Sequence, residues 1–417
     1  MEPVGHLMIS ATTATSWRQQ AELSVAATAE GLDPVGSLPA LQQPDWADTT
    51  LVEQVRDELA GLPALVTEAE VTVLRSQLAA VAAAQMQVVQ AGDCAEDPAE
   101  CTPGHVARKI GLLDALAGAM RLNAGRPVIR VGRIAGQFAK PRSQPTDRYG
   151  DLELPAYRGH LVNSPEPDPE LRRPDPLRLL LGYQAAGAAM DALRRAAGTA
   201  DPTSWTRVWT SHEALLLDYE LPLLRRGRDG RLLLASTHWP WIGNRTRQLD
   251  GAHVAMLAAA ANPVGCKLGP GTPTDELLAL CERLDPDREP GRLTLIARMG
   301  ADEVARALPP LVRAVRSGGH PVIWLCDPTH GNTVSAPGGL KTRFVDSVIR
   351  EVQGFQTAVA EAGGVAGGLH LEATPDDVTE CVADRTRIQD VGIRYTTLCD
   401  PRLNPPQAFA VASAWRG

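Results

Sequence analysis

Two sets of residues in this chain could do chemistry together. The first comprises Cys94, His330, Glu372 and Asp400, which offer a thiolate, an imidazole and two carboxylates. That mixture suits a divalent first-row ion such as Mn, Co, Fe or Zn. No two of them have the local spacing of a metal motif, and a single Cys or His is more often a core residue, so spacing leaves the assignment open. The second set is cationic: Arg133, Lys267 and Arg298, joined by GNRTRQ (243–248) and AKPRS (139–143). Guanidinium forks pair bidentately with carboxylate and phosphate, and lysine adds a point charge. Any one of these cations could simply answer a surface carboxylate. As a converging group in a chain of net charge −8, they point to a small polyanionic ligand.

Positioning such a site requires elements that bring distant residues to one end. From residue 86 onward, short β-prone runs alternate with helical stretches: MQVVQ (86–90), PVIRVGR (127–133), TRVWTS (206–211), LLLAST (232–237), PVGCKL (263–268), LTLIAR (293–298), PVIWLC (321–326) and GGLHLE (367–372). Eight β–α units predict an α/β fold, a (β/α)₈ TIM barrel. The rival, an open doubly wound sheet, lacks a GxGxxG fingerprint after its first strand. Barrel active sites lie at the C-terminal ends of the strands. Those ends carry Asp93 and Cys94, Arg133, Ser211-His212-Glu213, His238, Lys267, Arg298, Asp327 and His330, and His370 and Glu372. Asp400 lies in a late loop, CDPRLN (399–404).

Residues 1–80 read as an N-terminal helical extension and 81–417 as the barrel domain. TLVEQVRDELAGL and TEAEVTVLRSQLAAVAAAQ have helical spacing, and Thr67 to Glu70 reads as a capping box. SPEPDPELRRPDP (164–176) reads as a surface loop. Cys266 and Cys326 are expected in the core, and Cys281 and Cys381 on buried helical faces. The acidic balance disfavours nucleic acid. No apolar run long enough for a membrane span and no signal-peptide pattern are seen, and seven scattered cysteines favour a cytoplasmic protein with reduced thiols. No GxSxG elbow or Walker loop is present.

Taken together, RVGRIAGQFAKPRS (130–143), TSHEALLLDYE (210–220), HWPWIGNRTRQLDGAHV (238–254), NPVGCKLGP (262–270), LTLIARMG (293–300), CDPTHGNT (326–333), KTRFVDSVIREVQGF (341–355) and GGLHLEATPDDVTEC (367–381) resemble the class II 3-deoxy-D-arabino-heptulosonate 7-phosphate (DAHP) synthases, from about residue 17 to the end. The resemblance implies a metal-dependent, aldol-like condensation of phosphoenolpyruvate with erythrose 4-phosphate, the first step of the shikimate pathway. It implies Mn²⁺ or Co²⁺, with Zn²⁺ or Fe²⁺ as alternatives, on Cys94, His330, Glu372 and Asp400. It places phosphoenolpyruvate on Arg133, Arg245, Lys267 and Arg298, and the aldose phosphate near Lys140, Arg142, Ser143 and Lys341. Lys140 becomes a candidate proton donor to the new alkoxide, with Arg133 and His330 also in the catalytic set. Family members commonly form homodimers or homotetramers.

Three departures stand out. Ala91-Gly92-Asp93-Cys94-Ala95-Glu96-Asp97-Pro98 replaces the usual Gly-Gly-Asp-Cys-Ala-Glu-Thr-Phe. Gly243-Asn244-Arg245-Thr246-Arg247 replaces Gly-Glu-Arg-Thr-Arg, and Tyr157-Arg158-Gly159-His160 replaces Tyr-Arg-Gly-Asp. The usual glutamate at the position of Asn244 sits near phosphoenolpyruvate and can activate water; asparagine can hold water but cannot take its proton. Three expectations follow: a secondary-metabolism enzyme that still makes DAHP, the same chemistry on a changed acceptor such as an amino or imino sugar phosphate or another aldehyde, or a catalytically weak binding relative.

Overall fold

The computed structural model describes residues 33–198 and 207–416. Residues 1–32 of the expected extension, Thr206 of the expected third strand, and Gly417 lie outside that range. Eight parallel strands form one sheet: β1 (Gln87–Gly92), β2 (Val128–Arg133), β3 (Val208–Thr210), β4 (Trp241–Ile242), β5 (Val264–Leu268), β6 (Leu293–Ala297), β7 (Ile323–Cys326) and β8 (Ala366–Glu372). Their order is β3-β2-β1-β8-β7-β6-β5-β4, so chain neighbours are spatial neighbours throughout. Backbone bonds from Trp239 N to Thr210 O (3.1 Å), Trp241 N to His212 O (3.0 Å) and Ala214 N to Trp241 O (3.0 Å) join the two edges. The sheet thereby closes as a (β/α)₈ barrel.

Helices α1 (Thr49–Gly61) and α2 (Glu68–Ala82) precede the barrel. Thr67 and Glu70 form the expected capping box at the start of α2. Between and after the strands come α3 (Pro103–Ala124), α4 (Leu177–Ala197), α5 (Ala252–Ala259), α6 (Thr274–Leu284), α7 (Val304–Ser317), α8 (Val345–Glu361) and α9 (Pro405–Ser413). The β3–β4 connection holds only one α-helical turn, Leu217–Glu220.

Each strand alternates between two apolar environments, as a closed sheet covered by helices requires. Val89, Ala91, Val128, Val264, Cys266, Leu369 and Leu371 belong to the outer core under the helices. Val88, Ile129, Val131, Trp209, Trp241, Ile296, Ile323 and Leu325 form an inner core, and Leu74, Leu78 and Val81 of α2 join it. Helix α2 therefore plugs the N-terminal mouth of the barrel.

The fourth strand is not where the sequence places it. Leu232–Leu234 of LLLAST pairs antiparallel with Leu224–Arg226 in a hairpin outside the barrel, and β4 follows at Trp241. Leucines 224, 233 and 234 pack into the outer core, whereas Trp239 and Trp241 supply the bulk that fills the inner one. His238 thus precedes its strand instead of ending it, and its Nε2 faces Glu70 of α2 at 3.7 Å. Cys381 is buried as expected, but in a bend beyond β8 and not on a helix. In the 164–176 loop, mostly exposed, Arg172 is fully buried and bonds Asp147, Tyr149 and three backbone carbonyls.

Truncating the plug tests its weight. Leu78→Ala is expected to lower unfolding free energy by about 2–5 kcal/mol in urea titration.

Candidate active site

The inward positions of the strands change character toward their C-terminal ends. The sequence Ile129, Val131, Arg133 runs apolar to charged up β2; Thr294, Ile296, Arg298 does so on β6 and beyond. Ile323, Leu325, Asp327 and Gly368, His370, Glu372 repeat it. Register places Gly92 opposite both Arg133 and Glu372. A Cβ at Gly92 would lie 2.8 Å from Arg133 O and 2.9 Å from its Cβ, so glycine is what lets these two flanking strands present charge side by side.

Glu372 is fully buried and surrounded by cations. Its Oε1 lies 3.2 Å from Arg133, 3.4 Å from Lys140 and 3.0 Å from His330 Nε2, and its Oε2 lies 2.8 Å from Arg343. Burial alone would raise its carboxyl pKa; His330, Lys140 and Arg343 overcome that and hold it well below the usual range. His330 Nδ1 meets Asp327 at 2.7 Å, which also accepts Lys267 Nζ at 3.0 Å. Both ring nitrogens of His330 thus face carboxylates, a pairing that fixes the imidazole plane.

Three of the four candidate metal donors converge, and the fourth lies against one of them. Donor atoms of Cys94, Glu372 and Asp400 lie within 4.8 Å of one another, and His330 touches Glu372. The ammonium of Lys140 stands among them, 2.7 Å from Cys94 Sγ, 2.9 Å from Asp400 and 3.4 Å from Glu372. One positive charge already answers three convergent donors there, and thiolate, imidazole and carboxylates are the set expected of a divalent first-row ion. The residues fit such an ion.

Remote pairings hold the donor loops. Leu403 N bonds Glu372 O and Thr374 N bonds Leu403 O, each at 3.0 Å, tying the Asp400 loop to β8. Beneath, Asp93 receives Lys109 of α3 at 2.8 Å and Arg402 at 2.7 Å. Arg402 also grips Glu380 at 2.8 Å. One buried carboxylate next to Cys94 is thereby bonded to an arginine two residues past Asp400. Glu96 accepts the backbone N–H groups of Ala135, Gly136 and Gln137 at 3.0–3.3 Å, which sets the loop that delivers Lys140.

A cleft of ≈ 470 Å³ opens at this end, lined by Lys140, Arg142, Ser143, Asn244, Arg245, Lys267, Arg298, His330, Lys341 and Asp400, with Glu213. Arg133, Cys94 and Glu372 are buried behind this lining; Lys140 links Cys94 and Glu372 to it, and Arg133 bonds Glu372. Arg142 pairs with Asp147 at 2.7 Å and Lys341 with Asp400 at 2.8 Å. Not every strand-end residue contributes. His212 turns to Glu220 at 2.8 Å, Ser211 bonds Gln90, and His370 bonds Gln90 and Arg133 inside the barrel. Arg343, Lys109 and Arg402 were not singled out in the sequence. Only KTRF pointed to one of them; their carboxylate partners range from nearby Glu100 and Asp93 for Lys109 to Asp93, 309 residues away, for Arg402.

The departures divide the same way. Ala91 packs in the outer core, and Asp97 caps the short turn Pro98–Glu100, so neither reaches the cleft. His160 stacks edge-on against Tyr157 at 5.6 Å. Asn244 does line the cleft.

A barrel enzyme with a cation-walled cleft over a cluster of metal donors is the class defined by this geometry. The comparisons are specific. A match to the Class-II DAHP synthetase family spans residues 32–206 and 198–415. A probable phospho-2-dehydro-3-deoxyheptonate aldolase from Pseudomonas fluorescens is 55% identical over 382 residues, covering 90% of this chain and 94% of that protein. A phospho-2-dehydro-3-deoxyheptonate aldolase from Streptomyces coelicolor is 41% identical over 432 residues, covering 91% and 96%. Among solved structures, a phospho-2-dehydro-3-deoxyheptonate aldolase from Francisella tularensis shares the fold at TM-score 0.50 and 11% identity, over 91% of this chain and 99% of that one. The chain belongs to the class II DAHP synthetase family.

Asp93→Asn leaves Lys109 with Glu96 and Glu100 and Arg402 with Glu380, so no cation is orphaned. It is expected to weaken Mn²⁺ affinity about 10–100-fold, measured by isothermal titration, with the cleft otherwise intact.

Proposed function

We propose that this protein condenses phosphoenolpyruvate with erythrose 4-phosphate, releasing DAHP and phosphate, with a divalent ion on Cys94, His330, Glu372 and Asp400. The observation that carries this reading is the placement of Arg245, Lys267 and Arg298 in one cleft with Lys140, His330 and Asp400. Family membership supplies the substrates that such charges would suit. In this reading residues 1–80 are an N-terminal extension and 81–417 the catalytic barrel.

Phosphoenolpyruvate carries a carboxylate and a phosphate; Arg245, Lys267 and Arg298, which line the cleft, hold both, and Arg133, expected among them from the resemblance, adds its charge from behind, where it is buried against Glu372. Arg142, Ser143 and Lys341 receive the phosphate of the aldose. Cys94, His330, Glu372 and Asp400 would hold a divalent ion, which would supply Lewis-acid polarisation of the aldehyde carbonyl. Held side by side, C3 of phosphoenolpyruvate attacks the aldehyde carbon, and orientation of this kind contributes roughly 7–11 kcal/mol to lowering a barrier. The Lys140 ammonium, beside the donor set, protonates the new alkoxide. Water adds at C2, and phosphate leaves with cleavage of its C–O bond.

Asn244, which lines the cleft where the family resemblance expects glutamate, favours a second reading: the same condensation on an amino or imino sugar phosphate, or another aldehyde. Phosphate release from phosphoenolpyruvate separates the two. Release on adding erythrose 4-phosphate with Mn²⁺ or Co²⁺ is expected; release only with a different aldehyde would establish the second reading. Chelation with EDTA is expected to stop turnover and added Mn²⁺ to restore it. Cys94→Ser is expected to lose metal affinity and activity together while its circular dichroism matches wild type; wild-type turnover in that variant would remove Cys94 from the ligand set.

A further inference from the structure

If residue 244 cannot accept a proton, the water that adds at C2 needs another base. Three carboxylates line the cleft: Asp147, Asp400 and Glu213. Asp147 pairs with Arg142 and Arg172, and Asp400 with Lys140 and Lys341. Among the described residues Glu213 is in no ion pair, and its Oε1 is buried without a hydrogen-bond partner. A buried carboxylate oxygen left unsatisfied is costly, and its retention in a cleft marks a place for a ligand or water.

The backbone fixes this carboxylate firmly. Glu213 follows Trp209 and Ser211 at the next inward step beyond β3. Its N–H donates to Gln137 Oε1 at 3.0 Å, and the following residue's N–H bonds Trp241 O to close the barrel. Its Oε1 occupies the space a side chain at 243 would need: a Cβ there would lie 2.0 Å away. Gly243, immediately before Asn244, thus makes room for it.

We propose that Glu213 accepts the proton of the water that adds at C2 of phosphoenolpyruvate, an assignment that rests on the condensation described above. As C3 bonds the aldehyde carbon, C2 becomes electron-poor. Water oxygen bonds C2 while one of its protons passes to the Glu213 carboxylate, which lines the cleft. The bond from C2 to the phosphate oxygen then breaks as the C2 hydroxyl gives up its remaining proton to become the ketone; that proton restores the Lys140 ammonium, which had protonated the new alkoxide, and the protonated carboxyl returns its own proton to the departing phosphate. The carboxylate is regenerated and no external reagent is consumed.

Charge around the group is suited to this. Burial raises the proton affinity of Glu213; Lys267 of β5, Lys140, Arg133 of β2 and His330 pull it back, and the net direction is upward. Arg245, beyond β4, also lines the cleft. A carboxylate shifted toward the working pH is a better base than an exposed one.

The test compares wild type and Glu213→Gln by kcat, KM and pH profile, with the aldehyde that wild type uses. The shape is conserved. The expected result is a fall in kcat of about 10²–10⁴-fold, with phosphoenolpyruvate affinity by isothermal titration within about threefold of wild type. Wild-type kcat/KM should fall as pH drops through the Glu213 pKa, because the unprotonated form is required; that acidic limb should vanish in the variant. Glu213→Asp, which keeps a carboxylate, should retain the limb at reduced rate. An E213Q enzyme with near-wild-type kcat, or one that loses phosphoenolpyruvate affinity and keeps kcat, overturns the assignment alone. A wild-type enzyme that releases no phosphate with any aldehyde overturns the underlying function as well.

Discussion

Three cations and an imidazole converge on the buried carboxylate of Glu372: Arg133 from β2, Lys140 from the loop beyond it, Arg343 from the segment before α8, and His330 from beyond β7. Removing such a charge from water is tolerable only if partners surround it. That requirement draws four stretches of chain to one point. Cys94 and Asp400 reach the same point through Lys140. The network would be expensive if incomplete: deleting one partner of a buried pair costs about 3–5 kcal/mol.

The barrel makes this concentration possible through its geometry. A strand has few inward positions, and here the lower ones are filled by Val, Ile, Leu and Trp while the last ones are charged. The apolar layer seals the charged layer from below. Inside it, Trp241 shows how the two layers meet. Its ring lies edge-on to His370 at 5.1 Å and faces the cations of Arg133 at 5.1 Å and Lys267 at 5.6 Å. The electron-rich ring face is attracted to both charges without needing a counter-carboxylate.

Much of this was legible in the sequence, for a physical reason. Seven of the eight strand runs coincide with barrel strands because a strand buried on both faces must be apolar, and Arg133, Lys267, Asp327 and Glu372 stand out as charges where such runs stop. LLLAST misled because an outer hairpin packed on helices has the same composition as a barrel strand, whereas β4 is two residues long and announced by tryptophans. Lys109 and Arg402 were invisible, and Arg343 was marked only by its place in KTRF, for a different reason. Each lies on or near a helix or loop, where a cation is ordinary, and only tertiary structure reveals that it is buried. Glu213 was visible as a strand-end charge, but its lack of a partner is a property of three-dimensional packing.

The plug formed by α2 has a consequence for traffic. With Leu74, Leu78 and Val81 seated in the N-terminal mouth, that end of the barrel is filled among the described residues, and the cation-lined cleft opens at the other. On that open side Ser143 and Lys341 are exposed and Lys267 is buried, so the cleft presents an incoming anion with positive charge first at its surface and again at its floor.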